Sequence, residues 1–315
     1  MGQMNTFFHP LFSSKTVKQF ATWHGTLQEW AVAAIDDQLI QQHVQRALAE
    51  DIGTGDVTTN ALLPADAMGS ATIVARESLT VCGMALAKEA FDQLAGKAIF
   101  QTEIEDGTEV DAGAILLKIE APCRTLLTAE RTALNYLQRL SGIATQAANY
   151  VEAVRGTGVL ILDTRKTTPG WRAFEKYAVQ CGGARNHRRG LDDLIMIKDN
   201  HLAALQGPNP VADAVARTHE AAPDLKVEVE ADTLEQVEAA SAAGADIVLL
   251  DNMTPEMLCE AVALIDRRSQ IEASGGITLE TIRTIAETGV DYISVGALTH
   301  SAVAVDIAMD FSPTP

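Results

Sequence analysis

The sequence predicts an α/β protein in which a β/α barrel fills the second half and an α+β domain precedes it. Three observations carry this expectation. From Gly158 onward, short runs of Ile, Val and Leu alternate with helical segments at short spacing, the pattern of a parallel sheet. Those runs are apolar on both faces, so the sheet is covered on both sides. Each run also ends on a charged or small residue: Arg165 and Lys166, then Lys198, Glu230, Asp251, Ser274-Gly275-Gly276 and Gly296. A doubly wound sheet would satisfy the first two observations but spread those ends along an edge. A barrel gathers them on one rim, where barrel active sites sit, and this convergence favours the barrel.

Taken in order, residues 1–29 hold no acid before Glu29 and are rich in Ser, Thr, Gln and Phe. They lack the pattern of a transit peptide or a secretory signal and read as a frayed extension or a peripheral helix. A helix is expected from about Trp30 to Glu50, with Ile35, Leu39, Ile40, Val44 and Leu48 at helical spacing. DIGTGDVTTNALLP then reads as a turn-rich segment. Strands follow at about Ser70–Arg76 and Leu79–Cys82, a helix at Met84–Leu94, and a strand pair at Ile99–Glu105 and Ala114–Glu120. Cys123 to Arg155 reads as one helical stretch broken near Ser141-Gly142, with Leu134, Leu137, Leu140 and Ile143 as its apolar stripe. Arg139 within it reads as a surface charge.

The barrel strands are expected at Val159–Asp163, Leu194–Lys198, Lys226–Glu230, Ile247–Asp251, Gln270–Ala273 and Tyr292–Val295. The clearest helices between them are Leu234–Ala243, Pro255–Ile265 and Thr278–Glu287. The domains are then 1–29 as extension, 30–129 as the α+β domain and 130–300 as the barrel, with 301–315 as a tail packing on the α+β domain.

The bulk numbers bound the function. The chain has 315 residues, room for one or two domains, and a formal charge of −18. Its pI of about 4.7 argues against broad nucleic-acid binding. No apolar run reaches the roughly 18 residues of a membrane span. Cys82, Cys123, Cys181 and Cys259 are far apart and form no CxxC pair, which fits a reducing cytoplasm without disulfides or zinc. Each reads as a small buried apolar residue.

Against this acidity, eight of the 24 Lys and Arg residues fall between Arg165 and Lys198, with only three acids in that span. The plainer reading is a solvated basic face. Their place at strand ends favours a pocket for an anion. Ser274-Gly275-Gly276 and Gly296-Ala297 have the form of phosphate contacts, since glycine lets backbone N–H groups approach an oxyanion at a helix start. Without a ligand they are tight turns. Glu230 and Asp251 suit Mg²⁺ or ribose hydroxyls, although Asp251 also suits a helix cap. Glu228 points the same way as Glu230, and the pattern does not separate them. Together the rim reads as a site for a phosphorylated sugar with Mg²⁺, beside a second anion.

DTRKTTPG at 163–170, CGGARNHRRGL at 181–191 and IKDNH at 197–201 closely resemble the quinolinate phosphoribosyltransferase family. EDIGTGDVTT, ERTALNYLQRLSGIAT, LLDNM, SGGI and DYISVGALTHS extend the resemblance, in order, from about residue 35 to 310. It implies an incomplete β/α barrel of about six to seven strands behind an α+β domain. The implied reaction takes quinolinate and phosphoribosyl pyrophosphate to nicotinate mononucleotide, pyrophosphate and CO₂ with Mg²⁺, in NAD biosynthesis. By motif match, Arg131, Arg165, His187 and Arg188 hold quinolinate, with Thr164 beside them. Lys166 and Lys198 meet the pyrophosphate and the substrate, and Glu230 and Asp251 serve the ribose and Mg²⁺. Ser274, Gly275, Gly276, Val295, Gly296 and Ala297 hold the 5′-phosphate. The resemblance also implies a homodimer, or a hexamer, in which the neighbour's Arg131 completes the site.

The rivals are a sibling phosphoribosyltransferase acting on another base, a Schiff-base aldolase using Lys166 or Lys198, and a non-catalytic anion-binding regulator.

Overall fold

A computed structural model of the chain describes residues 34–95, 98–101, 104–205 and 207–313. The expectation for residues 1–29 lies outside them. Helices α1 (Asp37–Ile52) and α2 (Val57–Leu62) each start on an aspartate cap: Asp36 accepts from the Leu39 N–H and Asp56 from the Thr59 N–H. The segment expected to be turn-rich is thus largely helical, with Gly53 and Gly55 at positive φ between the two helices. Next come β1 (Met68–Ala75), β2 (Leu79–Thr80), α3 (Met84–Ala95), β3 (Ile99–Gln101), β4 (Glu109–Val110) and β5 (Ile115–Pro122). The long helix α4 (Cys123–Ala153) closes this part.

The second half runs β6 (Leu160–Leu162), α5 (Arg172–Cys181), β7 (Ile195–Ile197), α6 (Asp199–Ala204), α7 (Pro210–Ala221) and β8 (Val227–Ala231). It continues through α8 (Leu234–Ala242), β9 (Ile247–Asp251), α9 (Pro255–Ile265), β10 (Gln270–Ser274), α10 (Ile282–Ala286), β11 (Tyr292–Ser294), α11 (Ala297–His300) and β12 (Ile307–Pro313).

The six strands β6-β11-β10-β9-β8-β7 form one parallel sheet in that order. The first strand adjoins the last, as in a barrel, and the ring is open between β6 and β7. Into that gap the chain after α5 runs beside β6: the Arg185 N–H donates to Ile161 O and the Asp163 N–H to Arg185 O. The protein is therefore an incomplete β/α barrel. A separate antiparallel sheet, β12-β1-β5-β3, belongs to the first half, and its edge strand β12 comes from the far end of the chain.

α4 is not broken. Ser141 turns inward, accepting from the Cys82 N–H and donating to Cys82 O. A Cβ on Gly142 would lie 2.1 Å from Val303 O, so this glycine serves close packing rather than a break. Leu126, Ala133, Leu137, Leu140, Ile143 and Ala147 are fully buried along α4, which packs against α3 on one side and α5 on the other. The expected domain boundary at 129/130 falls inside this one helix. Cys82, Cys123 and Cys181 are buried as expected, but Cys259 is exposed on α9. Among the described residues no helix is long and apolar enough to cross a membrane.

Candidate active site

The C-terminal ends of the parallel strands carry two layers of charge. The upper layer is the rim. The loop after β6 presents Thr164, Arg165 and Lys166, and the Lys166 N–H donates to Thr164 Oγ1 at 3.1 Å. Lys198 follows β7 and Glu230 lies in β8; their side chains form an ion pair across the two strands. Asp251 ends β9 in register with Ser274 at the end of β10. Partial burial and the neighbouring charges of Glu230 and Asp232 hold the Asp251 carboxyl above its usual range, against the pull of Lys198 and Lys166. Lys166, Lys198, Glu230 and Asp251 thus share one electrostatic neighbourhood. Asn252, at φ 55°, donates its side-chain amide to Asp251 Oδ2 at 2.7 Å and its N–H to Ser274 O.

The turn after β10 needs glycine. Gly275 and Gly276 have φ 96° and 61°, and a Cβ on Gly275 would lie 2.2 Å from Asn252 Oδ1. At Gly296 a Cβ would meet Lys166 Cδ at 2.9 Å and His300 Nε2 at 3.2 Å, so the turn after β11 closes directly onto Lys166. The Val295 side chain is buried and its N–H donates to Leu162 O. His300 was not expected here. Its Nδ1 faces the Ser301 hydroxyl at 2.7 Å, leaving Nε2 toward Gly296.

The lower layer is buried. Asp163 Oδ1 accepts from Lys176 Nζ at 2.5 Å and from the His187 N–H at 2.8 Å, and Lys176 Nζ also donates to His187 O at 3.0 Å. The Asn186 amide, oriented to satisfy its neighbours, donates to Asp163 Oδ2 and to Lys176 O. Burial pushes Asp163 up to about 6, although Lys176 opposes this. These bonds hold the segment filling the barrel gap.

His187 is buried beside two carboxylates. Its Nε2 is 3.1 Å from Glu228 Oε2 and 3.4 Å from Glu272 Oε2, while the Arg188 N–H approaches Nδ1 at 2.6 Å. Both ring nitrogens are therefore engaged within the protein. Burial pulls the imidazole pKa down, but the carboxylates of Glu272 and Glu228 outweigh it and carry it up to about 10. The N–H at Nδ1 favours a neutral ring, yet one backbone dipole is weaker than two carboxylates. Glu228 is the buried acid of its strand and Glu230 the rim acid, which resolves the pair the pattern left open. An acid at an inward position of an otherwise apolar strand, as in VEVE or QIEAS, is the signal that marks such a layer.

Above His187 sit the guanidinium groups of Arg165 and Arg188. Burial and the nearby Arg165 charge lower the pKa of Arg188, and Arg165 Nη1 is buried without a hydrogen-bond partner. Two facing cations with an unsatisfied donor are arranged for an anion between them. Arg131 stands apart: it is exposed on α4, and among the described residues it makes no hydrogen bond or ion pair with the rim of its own chain. A cavity of 860 Å³ at the other end of the barrel, beside Lys226, Asp246, Gln270 and Asp291, holds none of these groups.

Comparison with known proteins identifies the family. Residues 56–141 match the N-terminal domain of quinolinate phosphoribosyl transferase and residues 143–310 match its C-terminal domain. This chain belongs to the quinolinate phosphoribosyltransferase family. The nicotinate-nucleotide pyrophosphorylase [carboxylating] of Mycobacterium leprae is 45% identical over 273 residues, covering 85% of this chain and 95% of that protein. Quinolinate phosphoribosyltransferase [decarboxylating] 1b of Nicotiana tabacum is 41% identical, covering 84% and 80%. The crystal structure of NadC from Streptococcus pyogenes superposes with a TM-score of 0.86 at 40% identity, covering 90% of this chain and all of that one.

Glu230 and Asp251 lie on neighbouring strands, and burial and the Glu230 charge raise the Asp251 pKa, a tension that a divalent cation such as Mg²⁺ would relieve.

Proposed function

We propose that this chain condenses quinolinate with phosphoribosyl pyrophosphate, giving nicotinate mononucleotide, pyrophosphate and CO₂ in NAD biosynthesis. The observation that carries the reading is the pairing, on one rim, of the Arg165–Arg188 anion gap with a glycine turn crowded against Lys166. Quinolinate has two adjacent carboxylates, which arginine forks bind in bidentate fashion. Arg165 and Arg188 receive them, with the imidazolium of His187 adding positive charge from below. The turns at Ser274–Gly276 and Gly296–Ala297 take the 5′-phosphate, with His300 Nε2 beside them.

The ring nitrogen attacks the anomeric carbon as its bond to pyrophosphate breaks, and that bond's electron pair leaves with pyrophosphate. Lys166 and Lys198 stabilise the departing negative charge. Glu230 and Asp251 hold the ribose hydroxyls and offset the positive charge of the oxocarbenium-like ring. Mg²⁺, when bound by these two acids, further neutralises the pyrophosphate. The new pyridinium then accepts the electron pair freed as the adjacent carboxylate departs as CO₂, and a proton replaces it on the ring carbon.

The protein incubated with both substrates and Mg²⁺ is expected to release nicotinate mononucleotide and CO₂ in equal amounts. Folded protein yielding neither would overturn the reading and direct attention to other nitrogenous bases. The homodimer belongs to the same proposal. Arg131 is exposed and, among the described residues, makes no hydrogen bond or ion pair with its own rim, and Val57 and Leu62 on the neighbouring α2 expose 80% and 73% of their surface, which suits a covered face. Mixed dimers of Arg131→Ala and Lys166→Ala chains should recover activity that neither parent has; mixed dimers without recovery would exclude a shared site. Four unpaired thiols fit a cytoplasmic enzyme.

A further inference from the structure

We propose that Arg139 and Glu175 are positioning residues that fix the two anion-binding loops of the rim against each other. The inference rests on the rim assignment above. Arg139 reads in the sequence as a surface charge, but its guanidinium is bonded within the fold. From the middle of α4 its guanidinium reaches three partners. Nη1 donates to Ala302 O at 2.7 Å, while Nη2 donates to Thr299 O at 2.5 Å and to Glu175 Oε1 at 3.1 Å.

Glu175, fully buried on α5, passes the connection to the loop after β6. Its carboxylate accepts from the Thr168 N–H at 3.0 Å and from Thr168 Oγ1 at 2.8 Å. That loop returns the connection, because Thr299 Oγ1 donates to Lys166 O at 2.7 Å. The bonds close a ring: Arg139 to Glu175, Glu175 to Thr168, along the chain to Lys166, on to Thr299 and back to Arg139. One side of the ring is the loop bearing Arg165 and Lys166, which holds the carboxylates and pyrophosphate. The other side is the turn and short helix from Gly296 to Ala302, which hold the 5′-phosphate.

Four of these bonds end on backbone atoms of the two loops. The pair therefore acts on the separation of the loops rather than on the helices that carry it. An ion pair with one partner fully buried contributes little net stability over an apolar replacement, so geometry is the more economical reason for this one. Neither residue touches substrate in the proposed arrangement. Their effect is transmitted through Lys166 and the β11 turn, which are already in contact at Gly296.

The test is whether damage on one side weakens a ligand on the other. The full-length protein and its Glu175→Gln, Thr299→Val and Thr299→Ser variants are titrated with phthalate, a dicarboxylate without the ring nitrogen, and with ribose 5-phosphate. Thr299→Val, on the phosphate side, should weaken phthalate by up to about tenfold, the upper scale of one neutral hydrogen bond. Thr299→Ser, which keeps the hydroxyl, should restore it. Glu175→Gln, on the carboxylate side, should weaken ribose 5-phosphate by a similar factor. Opening the ring twice should cost little more than opening it once, so the double variant should stay near tenfold.

Losses confined to the ligand on the altered side, losses that multiply in full, or failure of serine to restore phthalate would each overturn the proposal. Should Glu175→Gln not fold, the two Thr299 variants decide it alone. Turnover of quinolinate by the unaltered protein, measured alongside, tests the reaction separately.

Discussion

Lys176 and Asp163 meet with 5% and 0% of their side chains exposed, whereas Lys198 and Glu230, paired on the rim of the same barrel, keep 41% and 14%. Each pair joins a lysine to a carboxylate, and the consequences differ. Around the inner pair, His187 and Asn186 use the remaining donors and acceptors, so neither charge has anything left to offer a ligand. The rim pair has solvent beside it. An incoming phosphate can take the ammonium, and a cation can take the carboxylate, without stranding a charge in the interior. Burial thus separates the charges that shape the site from those that serve it.

The largest break in this comparison should come from Asp163→Asn. It leaves the Lys176 ammonium buried without its counter-charge and should cost about 3–5 kcal/mol in denaturant unfolding. A loss no larger than that of a surface substitution would mean that Lys176 is not charged there. A second test of the inner layer uses pH. The His187 pKa is raised from 6.5 to about 10 in the folded state, so its stabilisation is full below 6.5 and disappears as pH rises through 10. Glu228, lifted to about 7 by burial and by Glu272, adds a loss between 4.5 and 7. Stability should therefore decline toward alkaline pH, and His187→Gln should flatten the decline above 6.5. An unchanged slope would place the charge elsewhere.

On the rim the expected effects move from folding to binding. Arg188→Ala should weaken quinolinate about 10- to 150-fold through lost charged hydrogen bonds, with the melting temperature nearly unchanged. Unaltered affinity would sink the arginine assignment. The smallest effect on stability belongs to Lys198→Gln, at most about 1 kcal/mol for so exposed a pair, although turnover should collapse. A stability loss as large as that of Asp163→Asn would erase the distinction between the layers.

The sequence discloses the rim better than what lies beneath it. Strand ends are legible because apolar runs stop abruptly at Lys198, Asp251 and Ser274, and the helix Pro255–Ile265 begins and ends where its pattern does. The inner layer is harder to read because pairing, not residue type, makes it structural. Asp163 and Lys176 belong to the same basic stretch as Arg165, and nothing local marks them as buried. Arg139 was misread for the same reason, since its partners at Glu175, Thr299 and Ala302 are distant in the chain. Gly142 reads as a helix breaker until Val303 is known to press against it. The strand β12 escaped notice because IAMDFSP has weak alternation and takes its structure from β1.

That last strand bears on how the protein is made. Gly69 pairs with Pro313 and Ala75 with Ile307, so the first sheet to be synthesised is among the last to be finished. While the ribosome builds the barrel, β1 waits with an unpaired edge, the kind of edge that recruits neighbouring chains. Pairing with Ile307–Pro313 closes it. A polypeptide cut short before Ile307 would keep its rim residues and still carry an open edge into a crowded cell.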